Sequence, residues 1–371
     1  MSFAFIRKRS KNYIVYLEYK DKETGKKIQK NMGSYDKKRD ASKKLTELKD
    51  TIYNDELVVP SAVSVSYFLT DFLEKHKINL SITTYNCYKR ICDKYIIPML
   101  GSYKIEEIKP IHIQNYVDDL VGILSPQTIK IHINILNLAF KKAYRLRMIR
   151  ENVVEYIEIP RVKKFKNNIY NTESMVQLLK ICTGTNLELP IYLASGLGFR
   201  ISEILGLTWD NIDFNENTIT IEKITVRSNG QVILKEPKTE SSSRTISAPR
   251  EIINLLKDYK KKQIESKLKG EIKNNLNLIF FDKKEKPIAQ DVLSKNFNRF
   301  LKENSLNHIR FHDLRHSHVT LLINSKVPIR VISERVGHSN INTTLNIYAH
   351  ALKEMDIEAS DKISESLFKL S

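Results

Sequence analysis

Phe311-His312-Asp313-Leu314-Arg315-His316-Ser317-His318 is the stretch that decides how this chain is read. Four of these eight residues carry or exchange positive charge, and six of the nine histidines lie between His308 and His350. That clustering favours a site over scattered surface use. On a helix, His312 and Arg315 are three apart and project from the same face. An arginine beside a histidine suits an anion that changes protonation state during a reaction. The guanidinium fork holds two oxygens while the imidazole moves a proton. A metal site is the rival, because His312 and His316 have the i, i+4 spacing of a zinc-binding helix. The glutamate of a His-Glu-x-x-His motif is missing, Asp313 reaches less far, and Arg315 would set a positive charge beside the metal. A metal is therefore the less favoured reading. Taken alone, His316 also fits a buried, hydrogen-bonded structural role.

Upstream, Gly196-Leu-Gly-Phe-Arg200-Ile-Ser-Glu203-Ile-Leu-Gly-Leu supplies a second constellation. Its glycines allow a tight turn before a helix starts. Arg200 falls at that start, where backbone amides favour an anion, and Glu203 follows on the same face. A surface Arg–Glu pair is the plain alternative. Glu236-Pro-Lys238-Thr239 then opens a polar stretch, Glu240-Ser-Ser-Ser-Arg244, between two expected strands. A lysine on such a hairpin can protonate a leaving oxygen. Downstream come Val336-Gly337-His338-Ser339 and Asn346-Ile-Tyr348-Ala-His350. A tyrosine becomes a covalent nucleophile when nearby cations stabilise its phenolate. With 17 tyrosines in the chain, only its surroundings single out Tyr348.

Composition sets the bounds. A chain of 371 residues exceeds one ordinary core, so two or three domains are expected. Lys plus Arg number 61 against 43 Asp plus Glu, a net charge of +18 that attracts polyanions, nucleic acid above all. A membrane surface would call for an amphipathic basic helix or a lipid anchor, and the sequence has neither. No stretch approaches the roughly 20 apolar residues of a membrane helix. The least polar run, Leu189 to Phe199, contains Ser195, Gly196 and Gly198. Cys87, Cys92 and Cys182 lack metal-ligand spacing and read as small hydrophobes of a cytoplasmic protein.

Residues 1–50 hold 15 Lys/Arg against 7 Asp/Glu. Asn12 to Tyr19 predicts a strand, Asp21 to Gly25 a turn and Lys26 to Met32 a second strand. A helix then opens after Gly33, with Asp36 as its cap. A positive sheet with interleaved tyrosines can lie in a DNA groove. Leu57 to Ser61 reads as a linker. From Ser64 to about Tyr156 the pattern is helical, with a break expected at Pro98-Met-Leu-Gly101 and new helices at Pro110 and at Ser125-Pro126. Ile129, Ile131, Ile133 and Ile135 alternate like a strand, yet Ile129, Ile133, Leu136 and Phe140 fit a helix that runs on through Ala143. A bundle of four or five helices follows. After the basic linker Pro160 to Asn168, helices are expected at 172–183, 188–195, 201–206, 249–266 and 289–303, and strands at 218–226, 231–235 and 244–248.

The order of these pieces resembles the tyrosine recombinase family, the phage-type integrases. Gly198-x-Arg200-x-Ser202-Glu203, Lys238, His312-x-Leu314-Arg315-His316, Gly337-His338 and Tyr348 follow the family pattern over about residues 170–350. Phe199 and Val336 are the small departures, where leucine is commoner.

The resemblance implies three domains: an arm-type DNA-binding domain at 1–55, built from a small β-sheet and a helix; an all-α core-binding domain at 61–158; and a catalytic domain at 165–371, mainly α with a small antiparallel sheet, ending in a tail. It implies site-specific integration, and excision, of a mobile element through a 3′-phosphotyrosine. Tyr348 is then the nucleophile, Arg200 and Arg315 hold the phosphate, Lys238 is the general acid, His312 moves the tyrosine proton and His338 donates to the phosphate. Glu203 and His316 support the site. The partners implied are double-stranded DNA at core and arm sites, a homo-tetramer on that DNA, and an accessory bending or excision factor. The tail, residues 351–371, carries three Lys, five acids and Leu352, Met355, Ile363, Leu367, Phe368 and Leu370, which suits a protein surface better than DNA. A non-catalytic DNA-binding protein of the same fold and a zinc hydrolase built on the histidines are the competing functions.

Overall fold

The computed structural model describes residues 3–20, 27–53, 63–162, 169–228, 230–237 and 243–337, with the isolated positions Ile341, Leu345, Ser360 and Ser364. The expected turn at Asp21–Gly25 and the linker at Leu57–Ser61 lie outside the described residues, as does most of the linker Pro160–Asn168. The chain divides into two compact units, residues 1–164 and 165–371.

The first unit begins with an antiparallel sheet of β1 (Phe3–Arg9), β2 (Asn12–Lys20) and β3 (Lys27–Tyr35), in that order. Period-two alternation turns Val15, Leu17 and Tyr19 to one side of β2, where they are buried with Ala4 and with Ala41 and Leu48 of α1 (Lys38–Tyr53). Tyr16 points the other way. Its ring lies 5.6 Å from Phe5, which is 5.4 Å from Phe3, and the Arg7 guanidinium sits 5.7 Å from the Phe5 centroid and 5.8 Å from that of Tyr16. Sequence periodicity missed β1, whose apolar residues Phe3 to Ile6 run without alternation into Arg7-Lys8-Arg9. It also started the helix early: Gly33 to Tyr35 complete β3, and the Lys37 carbonyl, not an Asp36 side chain, accepts the first helical hydrogen bonds.

The same unit then folds as helices α2 (Val65–His76), α3 (Ile82–Ile91), α4 (Ile97–Leu100), α5 (Pro110–Leu120) and α6 (Pro126–Arg145). Ser64, Ser81 and Ser125 cap α2, α3 and α6, each accepting a backbone N–H at 3.2 Å. The ambiguous isoleucine run is helical, burying Ile129, Ile133, Leu136 and Phe140 along α6. The break expected at Pro98–Gly101 falls at the end of that stretch, where α4 stops at Leu100 with Gly101 as its cap, and Pro98 itself does not interrupt the helix. One π-helical turn, Cys92–Ile96, joins α3 to α4, with the Ile97 N–H bonded to the Cys92 carbonyl. Pro98 sits directly after this wider turn, at the start of α4. The three cysteines are free thiols; burial pushes those of Cys92 and Cys182 up to about 12.

The second unit is built around α8 (Glu188–Leu197), apolar on nearly every side, with α7 (Thr172–Cys182) before it. A left-handed residue, Gly198, leads into α9 (Ile201–Ile204). β4 (Ile212–Asp213), β5 (Thr218–Ile221) and β8 (Arg244–Ser247) form one antiparallel sheet, and β6 (Ile224–Ser228) and β7 (Gln231–Lys235) a separate hairpin. The strand expected at 218–226 is therefore two strands in two sheets. The chain changes sheet at Glu222-Lys223, where Glu222 accepts a hydrogen bond from Asn211 (3.1 Å). Among the described residues four helices follow: α10 (Arg250–Leu268), α11 (Gln290–Glu303), α12 (Asp313–Asn324) and α13 (Ile329–Val336). No described helix is long and apolar enough to cross a membrane.

Candidate active site

Gly198 explains the glycine pair. It ends α8 with φ of +69°, and a Cβ there would lie 2.7 Å from the His318 ring and 3.0 Å from Val336. The turn sends Arg200 to the start of α9. Glu203, one turn on, is 1% exposed. Its carboxylate accepts the Arg200 backbone N–H (2.9 Å) and the Arg200 guanidinium (2.5 Å). It also accepts a fork from Arg244 of β8, with both contacts at 3.1 Å. Burial alone would raise the Glu203 carboxyl. The hydrogen bonds and charge of Arg244, then the charge of Arg200, outweigh it and hold the group below its ordinary value.

Three arginines from three elements converge on the end of α13. Arg244 Nε donates to the Arg335 carbonyl (2.7 Å), Arg315 Nη2 to Val336 (2.5 Å) and Arg200 Nη2 to Gly337 (2.7 Å). These are successive carbonyls at a helix C-terminus, where intrahelical donors run out and the dipole is negative. Gly337, with φ of +68°, closes the helix. Arg315 is 1% exposed, and its Nη1 also bonds the Gly198 carbonyl at 2.6 Å. Desolvation, then the charges of Arg200 and Arg244, push its pKa well below the ordinary value, opposed by Glu203. The basicity of a guanidinium still leaves it charged at neutral pH.

His312 does not lie within α12 as the sequence spacing suggested; it precedes the helix at the cap position and is exposed. Desolvation of its inner side, then the positive character of His316 and Arg315, push its imidazole down to about 4, against the pull of Asp313. The rings of His312 and His316 meet edge to face with centroids 4.9 Å apart. Burial lowers His316 as well. Asp313, the nearest carboxylate for a metal, is instead taken by the Arg310 guanidinium (2.6 Å) and backbone N–H (2.8 Å). Among the described residues no group of three or more His, Cys, Asp or Glu could hold a metal ion.

Arg200, Glu203, Arg315, His312 and His316 are thus brought together, with Arg200 and His312 open to solvent above a closed floor of Arg315, Arg244 and Glu203. Lys238, His338 and Tyr348 lie outside the described residues. Their flanks are described: Pro237 precedes Lys238, and Gly337 precedes His338. Sequence reasoning missed Arg244 and His318. The signal for Arg244 was its place at the end of the polar stretch, opening a strand. His318 is 4% exposed and ties α12 to α8 by a 2.9 Å hydrogen bond between Nδ1 and the Ser195 carbonyl.

Comparison with known proteins covers almost the whole chain. Residues 169–355 match the phage integrase family, residues 64–121 the N-terminal SAM-like domain of phage integrases, and residues 5–52 an arm DNA-binding domain. A XerC-like tyrosine recombinase of Caldanaerobacter subterraneus subsp. tengcongensis is 30% identical over 286 residues, 72% of this chain and 73% of that protein. The ICEBs1 integrase of Bacillus subtilis is 26% identical over 309 residues, 82% and 84% of the two chains. The fold is shared with the Tn1549 transposon integrase, solved in complex with transposon right end DNA: TM-score 0.69, 22% identity, 82% of this chain and 99% of that one. The arginine floor, the histidines before and within α12, and these matches together show that the chain belongs to the phage integrase family and is a site-specific tyrosine recombinase, an enzyme that cuts and rejoins DNA.

Proposed function

We propose that this recombinase integrates and excises a mobile element, with Tyr348 as its nucleophile. The Tyr348 Oη attacks the scissile phosphorus and the bond to the 5′-oxygen breaks. That oxygen leaves as a hydroxyl with a proton from Lys238, and the 3′-phosphate stays on the tyrosine. His312 accepts the phenol proton; desolvation keeps its imidazole neutral beforehand, and the negative charge of a bound phosphate raises its basicity toward neutral pH. Arg200 binds a nonbridging oxygen, where charge grows in the transition state. Arg315, whose two Nη groups hold the Gly198 and Val336 carbonyls, turns a donor from these onto the other nonbridging oxygen when DNA binds, while His338 adds a hydrogen bond. Glu203 holds Arg200, and His316 packs against His312. The covalent link conserves the bond energy, and a second strand's 5′-hydroxyl reverses the step without cofactor or metal.

The observation that carries this reading is the convergence of Arg200 and Arg315 on the carbonyls of Val336 and Gly337, directly before His338. His312 and His316 stand beside these two arginines, which supports reading the group as one phosphate site. We assign residues 1–55 to arm-site binding, 61–158 to core-site binding and 165–371 to catalysis, in the cytoplasm of a bacterial host. Exchange between two duplexes breaks four strands, and one nucleophile per chain then requires a homo-tetramer on double-stranded DNA. The acidic, apolar tail of 351–371 suits contact with a neighbouring copy. Because the chemistry is reversible, direction falls to an accessory bending or excision factor.

The test uses a nicked duplex carrying the end sequence of the element that encodes the chain, recognised by the direct repeat flanking it. Wild-type protein should accumulate a covalent adduct that maps to Tyr348, and Tyr348→Phe should give none. An adduct that survives the substitution would move the nucleophile elsewhere. Deleting residues 1–55 should spare cleavage of this core substrate and impair integration.

A further inference from the structure

Arg244 lies where three catalytic segments meet, and no catalytic role above uses it. Its side chain is 8% exposed. Nη1 and Nη2 grip the two oxygens of Glu203, and Nε holds the Arg335 carbonyl. The guanidinium also faces the Phe199 ring, 5.8 Å from its centroid. With all three nitrogens turned onto protein groups and Phe199 on one face, Arg244 is poorly disposed to hold a phosphate. What it holds is the apparatus that does. Glu203 fixes Arg200, the Arg335 carbonyl belongs to the helix end that leads in sequence to His338 and Tyr348, and Arg244 itself opens β8, the strand that follows Lys238 in the chain and pairs with β5, not with β7.

The geometry points to Arg244 as a positioning residue that sets Arg200 and the end of α13 in register for strand cleavage. The inference rests on the catalytic roles given to Arg200 and Tyr348. Its physical basis is that Glu203 is a buried carboxylate with two cationic partners. If Arg244 is removed, Arg200 alone must neutralise it, and the guanidinium is drawn inward, away from the phosphate. Lysine can neutralise Glu203 but cannot also fork both oxygens and reach the Arg335 carbonyl.

The experiment uses the full chain and the same nicked end-sequence duplex, with cleavage under single turnover and DNA affinity measured separately. Arg244→Gln should slow cleavage about 100-fold while the dissociation constant stays within about threefold, as expected when donors aligned on the transition state are lost. Arg244→Lys should recover about a tenth of the wild-type rate. Pairing Arg244→Gln with Glu203→Gln should cleave no more slowly than Arg244→Gln alone, because the unpaired carboxylate that misdirects Arg200 is gone. Wild-type cleavage by Arg244→Gln, or losses that simply multiply in the double variant, would overturn the proposal. If Arg244→Gln melts early, Arg244→Lys decides, and cleavage at the wild-type rate by that variant is then the contrary result. Tyr348→Phe, run alongside, separates the two claims: an adduct there breaks the nucleophile assignment, whatever Arg244 does.

Discussion

The exposed sheet of the first unit and the buried floor of the second use the same residue for opposite purposes. On the sheet, Arg7 lies over Phe5 and Tyr16, in reach of any passing polyanion. In the floor, Arg315 and Arg244 are enclosed, and their donors go to carbonyls and to Glu203. An exposed cation is screened within about 10 Å at moderate salt and contributes little to folding. A buried one is neither screened nor optional, since each carbonyl it serves would lose its donor. The sheet should therefore respond to salt and tolerate substitution, and the floor should do neither.

The sharpest break would come at Arg315. Arg315→Lys keeps the charge but has one nitrogen for the Gly198 and Val336 carbonyls, which now take a separate donor each. Cleavage of the nicked duplex should fall at least 100-fold, the scale of one lost transition-state donor. Arg315→Ala should in addition destabilise the protein by about 3 kcal/mol, read from denaturant unfolding. A stable, active Arg315→Ala protein would show that the site does not rest on this floor.

His318 tests the same enclosure through pH. Burial, then the charge of Arg335, push its imidazole down to about 4, although the Ser195 hydrogen bond pulls the other way. The unfolded chain binds the proton near 6.5 and the folded chain near 4. The contribution is therefore fully present above pH 6.5 and is lost as pH falls toward 4. A shift of that size corresponds to about 3 kcal/mol. Burial lowers His312, His316 and His132 too, so the wild-type slope is a sum. His318→Asn keeps a donor for Ser195 and removes one titration. Its stability should fall less than the wild type's between pH 7 and pH 4.5, and parallel losses would count against a buried neutral ring.

How far the sequence reveals each region follows from the range of its interactions. α6 was legible because Ile129, Ile133, Leu136 and Phe140 repeat at helical spacing over 20 residues. β1 and the split at Glu222-Lys223 were not, because strand pairing is decided by partners elsewhere, such as Ser247 opposite Thr218. α12 defeats periodicity altogether. Arg315, Ser317 and His318 are buried on it because distant polar groups receive them. The site motif was visible through residue order, since Arg200, His312 and Arg315 each stand in a recognisable local context. Arg244 has no such context. Its carboxylate partner is 41 residues away and its carbonyl partner 91, so only the fold shows why it is there.

On the exposed side, Arg7→Ala should weaken binding of the full chain to an arm-site duplex about tenfold and lower the salt slope by about one counterion. Cleavage of the nicked core duplex should not change. Stability should move by no more than about 0.5 kcal/mol, as for a surface substitution. Loss of core cleavage here would count against the proposed assignment of the sheet to arm DNA.

The smallest expected effect lies on α13 itself. Arg330 forms an i, i+4 pair with Glu334 at 3.0 Å, and the two side chains are 86% and 67% exposed. It occupies the same short helix as the carbonyls that Arg244, Arg315 and Arg200 claim, and it has the same side chain, so element and residue type are held constant while burial differs. Exposed helical pairs contribute about 0.3–0.5 kcal/mol. Arg330→Ala should therefore shift stability by at most about 0.5 kcal/mol at low salt, less as salt rises, and leave the cleavage rate within twofold. A large loss of cleavage from Arg330→Ala would place the sensitivity in α13 as a whole, not in the guanidinium groups gathered at its end.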